Sequence, residues 1–162
     1  MSSSLSTGPP YTASNPPKYV YKLVPHSSVN PRYTFPVPIP ASHVFALSEL
    51  DAKDGYIHLS TAPQLSRTLN RFFPPAEHPK VVVLKMDYKR LKGWKVVKWE
   101  EAGSGLFPHL YARLEGENVE SFIELEHLPS LSSEAGEKEA DGGEGTWDRA
   151  LEKARGEGWL KD

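Results

Sequence analysis

The chain has 162 residues, enough for one domain with flanks, and no cysteine, which excludes disulfides, thiolate metal sites and a thiol nucleophile. Its net charge of −2 is unevenly spread: residues 1–128 carry 14 basic and 12 acidic side chains, residues 129–162 carry 5 and 9, and neither balance demands a nucleic-acid partner. No apolar run approaches the ~20 residues needed to span a bilayer, and Met1-Ser2-Ser3-Ser4-Leu5 lacks the apolar core of a secretory signal, so a cytoplasmic protein with no membrane partner is expected.

Residues 1–17 are rich in Ser, Pro and Thr without apolar periodicity and are expected to be disordered. Residues 18–128 form the single domain. It opens with a strand over Lys18–Val24, whose β-branched and aromatic residues carry bulk on both faces, as a central strand does. Five prolines between 25 and 40 impose an extended path suited to a lid or an inserted loop. A short helix is predicted over Ala41–Leu50, with Val44, Leu47 and Phe45 turned inward.

Asp54-Gly55 reads as a turn leading into a strand to Ser60, with Ile57 and Leu59 on one face and Tyr56, His58 and Ser60 on the other. Thr61 and Gln64 have capping-box spacing, and Leu65, Leu69, Phe72 and Phe73 form a helical stripe ended by Pro74-Pro75. Lys80–Asp87 is a near-continuous apolar run and reads as a buried central strand. One helical turn is predicted over Tyr88–Leu91, broken by Gly93.

Lys95–Glu100 is a strand with Val97 and Trp99 on one face and Glu100 on the other. A turn at Gly103-Ser104-Gly105 follows. The next strand alternates, Leu110, Ala112 and Leu114 inward, His109, Tyr111 and Arg113 outward; a last one runs Val119–Leu128. Residues 129–145 form an acidic linker. Residues 146–162 form a C-terminal helix whose stripe of Trp147, Ala150, Leu151 and Ala154 either docks on the domain or binds a partner protein. Strands outnumber helices, which predicts an α+β domain with a mixed, mostly antiparallel sheet.

The chemistry-bearing groups sit at strand ends: His58 with Ser60 and Thr61, Glu100 with Glu101, and His109 with Tyr111. Convergence of these strands would make His109, with Glu100 or Tyr111, an acid–base pair, with His58 orienting a ligand. The helix N-terminus at Thr61 would hold an anionic group. No tight His-x-His or HExxH spacing supports a metal, and no G-x-S-x-G supports a serine hydrolase.

Tyr21-Lys22, the run Asp54-Gly55-Tyr56-Ile57-His58-Leu59-Ser60-Thr61-Ala62, Arg71-Phe72-Phe73, Trp99-Glu100 and Phe107-Pro108-His109-Leu110-Tyr111 resemble the family called domain of unknown function nine-five-two, over residues 18 to about 128. That family in turn looks like a remote member of the ADP-ribosyltransferase-like fold, and its His-Leu-Ser strand is similar to one in the RNA 2′-phosphotransferases. The resemblance implies a transferase acting on a nucleotide, with NAD as the candidate cofactor. By this resemblance His58 and Ser60 fall in the NAD cleft, and His109 or Tyr111 lies on the strand where many such transferases place their catalytic Glu. Together with the strand-end groups, the expected catalytic residues are His58, His109, Glu100 and Tyr111, and the expected ligand contacts are Lys22, Tyr56, Ser60, Thr61, Arg71 and Trp99. Where such transferases carry His-Gly-Ser or His-Gly-Thr on the first strand, this chain has Tyr21-Lys22-Leu23-Val24. The alternatives are a non-catalytic binding module and a metabolite isomerase or hydrolase on the same fold.

Overall fold

A computed structural model describes residues 11–103, 105–128 and 147–162. Two three-stranded sheets organise it. The first, in the order β1-β3-β6, contains β1 (Tyr19–Pro25), β3 (Lys80–Asp87) and β6 (Ser121–Glu126). The second, in the order β2-β5-β4, contains β2 (Ile57–His58), β5 (Gly105–Leu110) and β4 (Val97–Ala102). Every ladder among the described residues is antiparallel, so two antiparallel sheets replace the expected mixed one. Among the described residues four α-helices accompany them: α1 (Glu49–Asp54), α2 (Leu65–Phe72), α3 (Tyr88–Trp94) and α4 (Asp148–Gly156).

β3 is the central strand, as its unbroken apolar run requires: Val81 to Met86 are all buried, Lys85 among them. β1, expected to be central, lies at the edge of its sheet, yet its outer edge is not left open. Tyr21 and Ser60 exchange backbone hydrogen bonds of 2.8 and 2.9 Å, which join the first sheet to the segment after β2. The bulk on both faces of β1 has a separate cause, cover on each side of the sheet. Tyr19, Tyr21 and Leu23 enter one core with Leu65, Leu69, Trp147 and Ala150; Val20 and Val24 enter a second core with Ile57, Leu59, Leu110 and Leu114. The first sheet is thus packed between α2 and α4 on one side and the second sheet on the other.

Several local expectations are corrected. Residues 11–17, expected to be disordered, include a Thr12–Asn15 bridge, and Tyr11 donates to Asp162; residues 1–10 and the acidic 129–145 segment lie outside the described residues. The helix expected over 41–50 begins only at Glu49, because Ser48 caps it by accepting from the Asp51 amide. Of Val44, Phe45 and Leu47, only Phe45 is buried. Asp54-Gly55 is not a strand-forming turn but the end of α1, with Gly55 as a left-handed cap at φ 84°. Phe72 is exposed, and Gly93 sits inside α3 rather than breaking it. β5 ends at Leu110, and β6 covers only Ser121–Glu126.

The C-terminal helix docks on its own domain. Trp147 is 0% exposed and donates its indole N–H to the Phe73 carbonyl. Its apolar stripe is therefore covered by the domain: Trp147, Ala150 and Ala154 are buried, and Leu151 packs against the same core. Among the described residues no helix is long and apolar enough to cross a membrane.

Candidate functional site

The short β2 strand places His58 beside His109 of β5, as a directly opposed pair. Alternation along the strands puts Ile57, Leu59 and Leu110 into the core and Tyr56, His58 and His109 onto the opposite face. On β4, Lys98 pairs with His109 and Glu100 with Phe107, so Glu100 shares that face. The strands expected to converge do so, and two histidine–carboxylate pairs meet there, with ring centroids 5.1 Å apart.

The first pair is built on Asp51, which is 2% exposed. One carboxylate oxygen lies 2.6 Å from His58 Nδ1 and accepts the His58 backbone N–H at 3.1 Å; the other accepts from Lys22 Nζ at 2.6 Å. Lys22 also donates to the His58 carbonyl at 3.2 Å. The outer nitrogen of His58, Nε2, lies 3.1 Å from Asp54. Burial alone would raise the Asp51 carboxyl, but the hydrogen bonds from His58 and the Lys22 charge outweigh it and hold it below the ordinary value. Burial pulls the Lys22 ammonium down while the same carboxylate pulls it up. The direction at Asp51 governs the pair, because that carboxylate gathers three donors.

The second pair joins His109, 1% exposed, to Glu100. Glu100 Oε1 lies 2.7 Å from His109 Nδ1 and accepts the Tyr111 hydroxyl at 2.7 Å. Burial lowers the His109 pKa against the opposing effect of Glu100, and the bonds from His109 and Tyr111 hold Glu100 below the usual carboxylate range. The hydrogen bond to Glu100 pushes the Tyr111 phenol up to about 12. His109 Nε2 is buried without a hydrogen-bond partner among the described residues. With Nδ1–H directed to Glu100, Nε2 is an open lone pair.

Tyr56 covers the pairs. Its ring stacks on His109 at 4.2 Å and 25°, and lies 4.7 Å from His58 and 5.1 Å from Tyr111. Tyr56 directly follows Gly55. A cleft of about 390 Å³ opens beside Asp51 and Tyr56, walled by Phe45, Leu47 and Ala112. His58, Glu100, His109 and Tyr111 do not line it, and a larger hollow of about 440 Å³ near Arg90 and Trp94 contains none of the site residues.

Six predicted residues come together: Lys22, Tyr56, His58, Glu100, His109 and Tyr111. Four do not. Ser60 is buried, its hydroxyl 3.5 Å from that of Thr68. Thr61 is buried; its backbone N–H donates to Gln64 Oε1, so this donor is not open to an anion. Arg71 is exposed on α2 over the Phe72 ring. Trp99 packs into the core and donates to the Tyr88 hydroxyl. Asp51 and Asp54 were missed. Their i, i+3 spacing on a short charged helix resembles any solvated face; only the fold carries that helix onto β2. The Lys98 ammonium also reaches this face, 4.8 Å from the centre of the Tyr111 ring. Among the described residues no group of three His, Asp or Glu side chains is arranged to hold a metal ion.

The chain belongs to the family described as protein of unknown function (DUF952), whose model matches residues 39–122, a span that holds every site residue except Lys22. The crystal structure of protein CC0527 from Caulobacter crescentus is similar in fold, with a TM-score of 0.51 and 24% identity over 74% of this chain and 99% of that one. The solution structure of the same protein gives 0.48 and 25%, over 72% and 96%. No curated protein matches.

Proposed function

We propose that the paired histidines form an acid–base site for a small, uncharged, ring-bearing ligand of nucleoside or glycoside type, and that the reaction is a glycosyl-type transfer. The observation that carries this is the meeting of Asp51–His58 and Glu100–His109 beside the Tyr56 and Tyr111 rings. A ligand ring stacks on Tyr56 or Tyr111. Its hydroxyls donate to Asp54 and Glu100. His109 Nε2 takes a proton from the attacking group once Tyr56 moves aside, and His58, backed by Asp51, delivers one to the leaving group.

The residues do not fit the diphosphate of NAD. Three carboxylates surround the histidines, and the ammonium of Lys22 is already paired with Asp51. The reading therefore retains a transferase-like reaction on a glycosidic bond without that cofactor.

The experiment is a thermal-shift screen with nucleosides, aryl glycosides, ADP-ribose and NAD, followed by mass spectrometry for turnover. Saturable stabilisation with turnover by a nucleoside or glycoside, both lost in His58→Ala and His109→Asn, is the expected result. Turnover unchanged in both variants sinks the proposal. A second reading, a non-catalytic binding module, is favoured by one feature: both nitrogens of His58 and the Tyr111 hydroxyl already have partners within the chain. Stabilisation without turnover selects it.

A further inference from the structure

A second set of side chains with nucleophilic geometry lies beyond the end of β1, four residues from Lys22, or about 13 Å of extended chain. After Pro25 the backbone turns sharply: Val29 and Asn30 both donate their N–H groups to the His26 carbonyl, at 2.9 and 3.1 Å. The turn folds Ser28 back over the His26 ring. The Ser28 hydroxyl oxygen lies 2.8 Å from Nδ1, and the Ser28 backbone N–H donates to that same nitrogen at 3.1 Å. The other ring nitrogen, Nε2, lies 2.9 Å from Glu124 on β6. β3 brings that carboxylate there, since Val24 and Glu124 both pair with Val82.

The bonds assign the protons. Nδ1 accepts from a backbone N–H, so it carries a lone pair, and the ring proton sits on Nε2 facing Glu124. The Ser28 hydroxyl near Nδ1 is then the donor. A hydroxyl donating to an imidazole, whose far side donates to a carboxylate, is the arrangement that activates a serine. The His26 side chain is 13% exposed, while Ser28 is open to solvent.

We propose that Ser28 is a nucleophile activated by His26, that Glu124 is the positioning residue for that histidine, and that the centre accepts acyl groups from activated carboxylic esters. Ser28 Oγ attacks the ester carbonyl carbon as its proton passes to His26 Nδ1. The bond from that carbon to the leaving oxygen breaks, and the leaving alcohol or phenol takes the proton. Water then attacks the acyl-serine, again giving its proton to His26, and releases the carboxylic acid and the serine hydroxyl. Protonation of Nδ1 removes the acceptor of the Ser28 backbone N–H, which frees that donor for the oxyanion. One late-formed donor is weak stabilisation, so esters with good leaving groups are the substrates and amides are not.

The test uses the full chain with p-nitrophenyl acetate. The expected result is a burst of about one p-nitrophenol per chain, with the acetyl group on the peptide containing Ser28. Ser28→Ala abolishes the burst, and Ser27→Ala retains it. Glu124→Gln slows acylation about tenfold or more, while its urea midpoint stays at that of the parent. The proposal is overturned if the acetyl group is found elsewhere, if Ser28→Ala bursts normally, or if Glu124→Gln acylates at the parent rate.

Discussion

His58 and His109 stand directly opposite each other across the β2–β5 ladder, 5.1 Å between ring centroids, and each ring has its own carboxylate. The two pairs have different environments. Asp51 lies beneath His58 in the protein, whereas Glu100 lies at the surface and His109 is the buried member. Burial therefore acts on the carboxylate in one pair and on the imidazole in the other.

Asp51→Asn is expected to lower stability by about 3–5 kcal/mol, because it leaves the Lys22 ammonium buried without its counter-charge. Lys22→Met in the same background should restore part of that loss. The wild-type pH dependence follows from the depressed Asp51 pKa. Its contribution is fully present above the unfolded carboxyl value of 3.8 and is lost as pH falls through the lower, folded value. Urea titrations of the three proteins, with an acid series for the wild type, measure both effects. Equal stability of Asp51→Asn and wild type would contradict the burial of the pair.

His109 gives a loss of stability at milder acidity. Burial depresses its pKa below 6.5, so between the two values the unfolded chain binds more protons than the folded one. Stability from this group is complete above about 6.5 and declines as pH falls toward the folded value. His109→Asn, whose amide can still donate to Glu100, should flatten urea midpoints between pH 8 and 5. An unaltered slope would show that His109 titrates normally.

Gly116 is required by close approach. A Cβ there would lie 1.9 Å from the Pro40 carbonyl oxygen and 2.9 Å from Ile39 Cγ2. The Gly116 N–H also donates to the His43 carbonyl, pinning the segment before α1 to the one after β5. Gly116→Ala is expected to cost about 3 kcal/mol or more. Gly93→Ala, in α3 with no atom within 4 Å of the new carbon, should be neutral or stabilising by up to about 1 kcal/mol. Denaturant midpoints of the two variants provide the contrast.

Trp147 reports the docking of α4. Trp147→Ala removes a fully buried indole and its bond to Phe73, and should destabilise the chain by about 3–5 kcal/mol. Urea unfolding followed by circular dichroism measures the loss. A change below 1 kcal/mol would mean that the helix contributes little to the core.

The patterns that the sequence by itself determined are local ones. The apolar run at 80–87 defines a central strand, because only a strand buried on both faces tolerates it. Alternation at 56–59 separates the core face from the face carrying His58. The order of motifs identifies the family. These signals depend on periods of two or 3.6 residues, which are readable within one element.

Tertiary structure alone decided which groups meet. Asp51 lies seven residues before His58 in no recognisable motif; the left-handed cap at Gly55 folds α1 back so that its carboxylates reach the imidazole. The bulk on β1 reflects a core packed against each face of its sheet, not a second flanking strand of the same sheet. Trp99 alternates correctly with Glu100, but which face was core depended on the sheet packed against it. Alternation distinguishes two faces without saying what covers either, and a buried ion pair such as Lys22–Asp51 is indistinguishable in sequence from two solvated charges. Long-range packing supplies both answers.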